Sequence, residues 1–198
     1  MKKLACTLLS FVLCLTSIAA LAESAPSKTT DDLTNVEVTA ENLPENASFY
    51  LRLIAETEEA HMDRLDICKE EIAKLKAAES VEAYFGGETD YRTIIGAEQL
   101  NVYEFSPVIA GGYSPAYGNV TADLLFSTPY EVGEKVAVMI GLVTLHTDDT
   151  YTVAWSAFEG VGIEADQVEA AGRVRVVLDP DTVMTIQNGI ALLAVISD

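Results

Sequence analysis

The sequence predicts a mainly β domain: an antiparallel β-sandwich with one long helical insertion at 56–78 and a short helix near 180–188. Three observations predict it. Short stretches that alternate apolar and polar residues recur at near-regular spacing, the pattern of strands with one buried face. Residues 136–143 are apolar throughout and rich in β-branched types, which suits a central strand covered on both faces. One stretch, 56–78, abandons the period of two for the helical period.

Taken in order, the chain opens on a secretory signal at 1–22. Lys2 and Lys3 give the positive start, 4–15 is apolar, and Ala20-Leu21-Ala22 supplies the small residues of a cleavage site. Cleavage after Ala22 is expected and leaves 176 of the 198 residues. Residues 23–34 are Ser, Thr, Lys and Asp with one Pro, the composition of a flexible leader. The remainder, 35–198, has a length that suits one domain. No later stretch is long and apolar enough to span a bilayer, so the mature chain is expected outside the cell and off the membrane.

The strands follow. Residues 35–40 alternate and form the first. Asn42 to Asn46, with Pro44, make a turn, and 47–55 form the second strand. In the helical stretch, Met62, Leu65, Cys68, Ile72 and Leu75 recur at spacings of three and four on one face. Glu56, Glu58 and Glu59 sit near its positive end and Lys74 and Lys76 near its negative end. Glu70 and Lys74 are placed for an i,i+4 pair. Residues 81–85 read either as a short strand or as a ragged helix end, and Gly86-Gly87 breaks the pattern. A strand at 100–109 is interrupted by Pro107, and 111–118 is turn-like.

Val120, Ala122, Leu124 and Phe126 then alternate with Thr121 and Asp123, and Pro129 and Gly133 mark the connection to 136–143. After a polar turn at 146–150, residues 151–157 alternate again. Gly160 and Gly162 suggest a bulge or bend. Val174, Val176 and Leu178 make another strand. Asp179 is the N-cap and Pro180 the first residue of the short helix, which Asn188-Gly189 ends before a final buried strand at 191–196. Leu124, Phe126, Val138, Ile140, Val174, Val176, Leu193 and Val195 are the expected core.

This pattern resembles the Ig-like β-sandwich modules of secreted and surface proteins of Firmicutes-type bacteria. The resemblance rests on Val36-Glu-Val-Thr-Ala, Leu43-Pro-Glu-Asn-Ala-Ser-Phe49, Leu100-Asn-Val-Tyr-Glu-Phe105, the runs 120–129 and 136–143, and the closing segments 172–178 and 191–197. It implies a bacterial, non-catalytic module that binds or spaces, with an unknown protein or glycan as partner.

Charge narrows the partners. The chain holds 31 acidic and 12 basic residues, a net charge of −19. Loss of 1–22 removes two lysines and no acid, which makes it −21. Such a surface repels nucleic acid and anionic membranes. The acids fall in short groups, Asp31-Asp32, Asp148-Asp149, Asp179 and Asp181, and none has the spacing of a calcium loop. Metal and cofactor are therefore not expected.

Nor is catalysis. Gly112-Tyr-Ser114-Pro-Ala116 only partly matches a nucleophile elbow, since Ala116 stands where glycine is needed and a strand follows. His61 and Cys68 share a helical face, but seven residues separate them by about 10 Å, too far for a hydrogen bond. Cys68, the one cysteine left after cleavage, lies in the apolar stripe and reads as an inert core residue. A carbohydrate-binding reading rests on Trp155, Tyr103, Tyr113, Tyr117 and Tyr130 as an exposed stacking surface. The competing reading makes the same rings core residues. A hydrolase with an unrecognised site is the third possibility.

Overall fold

The structure, a computed structural model, describes residues 33–86, 91–96, 100–166 and 169–197. The expected signal peptide and the leader as far as residue 32 lie outside the described residues. Strand β1 begins at Leu33, so the last two residues assigned to the leader belong to the fold.

Among the described residues eight strands form: β1 Leu33–Ala40, β2 Tyr50–Leu53, β3 Asn101–Gly111, β4 Val120–Phe126, β5 Lys135–Leu145, β6 Tyr151–Ile163, β7 Gly172–Leu178 and β8 Ile190–Ser197. All belong to one antiparallel sheet of order β1-β4-β7-β6-β5-β8-β3-β2. Its first and last strands, β1 and β2, lie side by side, so the sheet curls into a nearly closed barrel.

The two-sheet sandwich expected from the sequence gives way to this single sheet. The reason is the β5–β6 pairing, which runs unbroken from Lys135↔Val161 to Leu145↔Tyr151 and joins what would have been two sheets. Strand β8 inserts between β5 and β3 and extends the same ladder.

The barrel interior is one apolar cluster. All eight expected core residues lie in it, with Val136, Ala191 and Leu178. The short helix α4, Pro180–Asn188, plugs one end with Val183 and Ile186. Its N-cap is as expected: Asp179 accepts the Thr182 backbone N–H at 2.9 Å. The opposite faces of β5 and β8, carrying Ala137, Met139, Leu192, Ala194 and Ile196, are covered by a helical layer.

Among the described residues that layer has three helices. A 3-10 turn, Glu59–His61, leads into α1, Met62–Ala77. Residues 81–85, left open between strand and helix end, form α2, Val81–Phe85, with Ser80 accepting the Ala83 N–H at 3.1 Å. A third helix, α3 Tyr91–Ile94, has no counterpart in the sequence reading. Leu65, Cys68 and Leu75 of α1 are buried as expected, but Met62, at the helix start, is 42% exposed. The 56–58 segment is not helical. Glu58 instead binds Arg52 of β2 through two contacts of 2.7 and 2.9 Å and accepts the Ala55 N–H at 2.8 Å. The Arg52 hydrogen bond chiefly, then the Ala55 amide, lower its carboxyl to about 2.

Two expected interruptions do not occur. Strand β3 continues through Pro107, which stays paired with Leu192 of β8 and whose carbonyl accepts the Ile54 N–H at 3.0 Å just beyond the last β2 pair, Leu53↔Val108. Gly160 and Gly162 lie in an unshifted ladder. Gly160 is required for close approach: a Cβ there would come within 2.7 Å of Val136 and 2.9 Å of Val174.

A real bulge lies where none was expected. Between Val102↔Ile196 and Glu104↔Val195 the β3–β8 register shifts, and Tyr103 is the extra residue. The shift turns Val102 and Phe105 both toward the helical layer and points Glu104 into the barrel. There Glu104, 1% exposed, accepts the Leu33 N–H at 3.0 Å and the Ser106 hydroxyl.

Leu124 and Phe126 are both fully buried. Truncation of either to Ala is expected to cost about 2–5 kcal/mol, read as a lowered chemical-denaturation midpoint. Wild-type midpoints for both variants would show that the barrel interior is misassigned.

Candidate functional site

The outer face of β6 and the two helices above it build a cleft of about 580 Å³. Strand alternation puts Tyr151, Val153 and Trp155 on the same face of β6. Helix α1 contributes Glu71 and Lys74, and α2 contributes Tyr84 and Phe85. Gly141 on β5, opposite Trp155, makes room for the indole: a Cβ there would meet its six-membered ring at 2.8 Å.

Glu71 is the centre of the cleft. It is 4% exposed, on the α1 face that also buries Leu65, Cys68 and Leu75. Its carboxylate accepts from Lys74 Nζ at 2.6 Å, Tyr84 Oη at 2.5 Å and Tyr151 Oη at 2.9 Å. Lys74 also donates to Tyr151 Oη at 3.1 Å and lies 4.4 Å from the centre of its ring. The expected Glu70–Lys74 pair is thus replaced by Glu71–Lys74, because the sunken Glu71 is the carboxylate that needs a cation. Glu70 turns to Tyr151 Oη, 2.9 Å from its Oε2.

The phenols are held protonated. Burial, then the hydrogen bond to Glu71, pushes Tyr84 well above the ordinary tyrosine range. Burial chiefly, with Glu70 and Glu71 outweighing Lys74, pushes Tyr151 up to about 12. The hydrogen bond from Lys74 to Glu71 holds the ammonium charged. The arrangement joins α1, α2 and β6. Tyr151 has a single hydroxyl hydrogen, which Glu70 and Glu71 share as neighbours at 2.9 Å each.

The five aromatic candidates lie in three places. Trp155 is half-buried beneath the helices, with ring centroids 4.9 Å from Phe85, 5.6 Å from Phe105 and 6.1 Å from Tyr84. Tyr113 and Tyr117 pack edge to face at 5.9 Å at the α4 end of the barrel. Tyr113 is buried, and its hydroxyl donates to the Gly118 carbonyl at 2.5 Å. Tyr103 and Tyr130 meet at 6.4 Å at the other end, where Tyr130 also packs on Phe126.

The remaining sequence candidates are dispersed. Ser114 precedes a 3-10 turn, Pro115–Tyr117, and then β4, so no helix follows it. His61 Nε2 lies 4.0 Å from Glu58, and His146 is exposed in the β5–β6 turn. The Cys68 thiol is buried and contacts the Phe105 carbonyl at 3.7 Å. On the far side of the barrel, Arg175 grips Asp123 with two bonds of 2.7 Å. Arg173 reaches Asp123 at 2.9 Å and also contacts Glu37. Burial would raise the Asp123 carboxyl, but the guanidinium contacts outweigh it and the net direction is down. Among the described residues, no three Asp, Glu, His or Cys side chains gather at metal-ligand range, and no helix is long and apolar enough to cross a membrane.

Sequence reasoning missed Tyr84, Tyr151 and Glu71 as a group. A signal for Glu71 was present: it stands three residues after Cys68 and four before Leu75, on the stripe. Comparison of the chain with family models, with characterised proteins and with solved structures finds no match.

The raised phenols make alkaline stability a test of the network. A group whose folded pKa is raised stabilises fully below its unfolded value, near 10 for tyrosine, and that contribution is lost as pH climbs toward the folded value. Thermal midpoints are expected to fall from about pH 10 to about pH 12, and Tyr151→Phe should make the fall shallower. An equally steep fall in the variant would show that Tyr151 is not part of it.

Proposed function

We propose that the chain is a secreted, non-catalytic binding domain, of the kind the Ig-like resemblance implies, and that strand β6 carries its binding surface. The supporting observation is the open edge of that strand. β7 pairs with β6 only from Gly160↔Val176 to Ile163↔Arg173. Among the described residues, 151–159 therefore have a ladder partner on the β5 side alone. An extended segment laid along this edge would gain main-chain hydrogen bonds without any reaction.

The saturated Glu71 supports a binding role as well, since its donors are arranged to hold helices on a strand. A second reading, glycan binding, is favoured by the cleft that Trp155, Tyr151 and Glu71 line together. The cleft has room for a monosaccharide or disaccharide.

The test is an array of extended peptides and of extracellular glycans probed with the purified chain. Binding lost on Ala154→Glu with Ser156→Glu assigns the edge, and binding lost on Trp155→Ala assigns the cleft. Turnover of an ester, peptide or glycan that disappears in Glu71→Gln would overturn the non-catalytic reading.

A further inference from the structure

The edge of β6 is unusual for what it lacks. Exposed edge strands are normally blunted by Lys, Pro or a bulge, because a regular edge recruits other strands. Residues 150–158, Thr-Tyr-Thr-Val-Ala-Trp-Ser-Ala-Phe, contain no charge and no proline. The β5–β6 register has no shift over its whole length, so the edge is regular. Thr152, Ala154 and Ser156, which alternate along one face, are exposed and small. The composition favours strand formation.

The rest of the molecule decides the occupant. The mature chain carries 21 excess negative charges, so two copies repel one another almost everywhere. At β6 they do not. If two copies pair antiparallel through this edge with the two-fold axis near Trp155, the one acid in 151–159, Glu159, falls opposite Tyr151 of the other copy, where Lys74 lies against the tyrosine hydroxyl beside the carboxylates of Glu70 and Glu71. The two Glu159 side chains are then about eight residues apart along the strands, roughly 26 Å, beyond the screening length at physiological salt. Each is also neutralised locally by Lys135 of its own chain at 3.1 Å. The acidic turn, with Asp148 and Asp149, projects past either end of the shared ladder.

We propose that β6 pairs with β6 of a second copy, antiparallel over residues 151–159, and joins two barrels through one continuous sheet. The inference rests on the reading of β6 as the binding surface and names its partner as the same chain. The same charge that keeps the molecules apart elsewhere confines their contact to this strand and sets its direction.

Sedimentation equilibrium of the chain lacking residues 1–22 tests it. The expected result at physiological salt is a concentration-dependent passage from one-chain to two-chain mass. Ala154→Glu with Ser156→Glu places four like charges in the contact. It should weaken association about tenfold or more while the thermal midpoint stays unchanged. Ala154→Lys with Ser156→Lys serves as a second variant, and an equimolar mixture of the two should associate more tightly than either alone. A one-chain mass at every concentration would overturn the proposal, as would a two-chain mass that both variants leave intact. A one-chain mass accompanied by peptide or glycan binding in the array overturns self-pairing alone and leaves the binding-domain reading standing.

Discussion

Strands β5 and β8 present apolar side chains on both faces, and the whole architecture answers that constraint. Val138, Ile140, Leu193 and Val195 need a dry interior on one side, while Met139, Leu192 and Ile196 need a cover on the other. A flat sheet would satisfy neither face by itself. Curling the sheet buries the first set inside a barrel, and α1, α2 and α3 bury the second. At roughly 25 cal/mol per Å² of apolar surface removed from water, each fully buried Leu, Ile or Val contributes about 1.5–3 kcal/mol, so both covers are needed.

The helical cover in turn needs a lock, and Glu71 provides it. A carboxylate sunk beneath a helix must find donors or lose its charge. Glu71 finds three, from its own helix, from α2 and from β6. The lock thereby holds two layers in register with polar contacts of fixed direction, where apolar packing would allow them to slide. It also shapes the cleft, because the groups that hold α2 down are the groups that line it.

Periodicity made the strands and the core readable in advance. Leu124, Phe126, Val174 and Val176 sit inside the barrel because alternation left them no other face. Asp179-Pro180 signalled α4 through local chemistry alone. What periodicity could not supply was the pairing partner of each strand. Nothing local distinguishes a β5 that ends one sheet from a β5 that bridges to β6 and β8, so sandwich and barrel read alike. The bulge at Tyr103 was hidden for a related reason: the change of phase that turns Glu104 inward requires β8 as a reference. The short helix α3 is four residues long and carries too little period to register. The candidate cleft joins side chains from three elements, and only Glu71, by its place on the α1 stripe, left a trace in the sequence.

The clasp at β1 bears on the order in which the chain assembles. The bond from Thr34 Oγ1 to the Leu125 carbonyl joins residues 91 apart, and β1 makes its ladder with β4 only. The β5–β6 hairpin, by contrast, closes through a turn in which the His146 N–H meets the Thr150 carbonyl at 2.8 Å. Loop-closure entropy favours the hairpin as the early event and makes the long-range ladders, β1 with β4 and β3 with β8, later ones. Among the described strands the first to be synthesised therefore waits for β4, about eighty residues later, before it can pair. Until it docks, Leu33 cannot offer its N–H to Glu104, and that carboxylate faces an unfinished barrel. Amide protection timed during refolding would read this sequence, with β5 and β6 protected before Val36 and Val38.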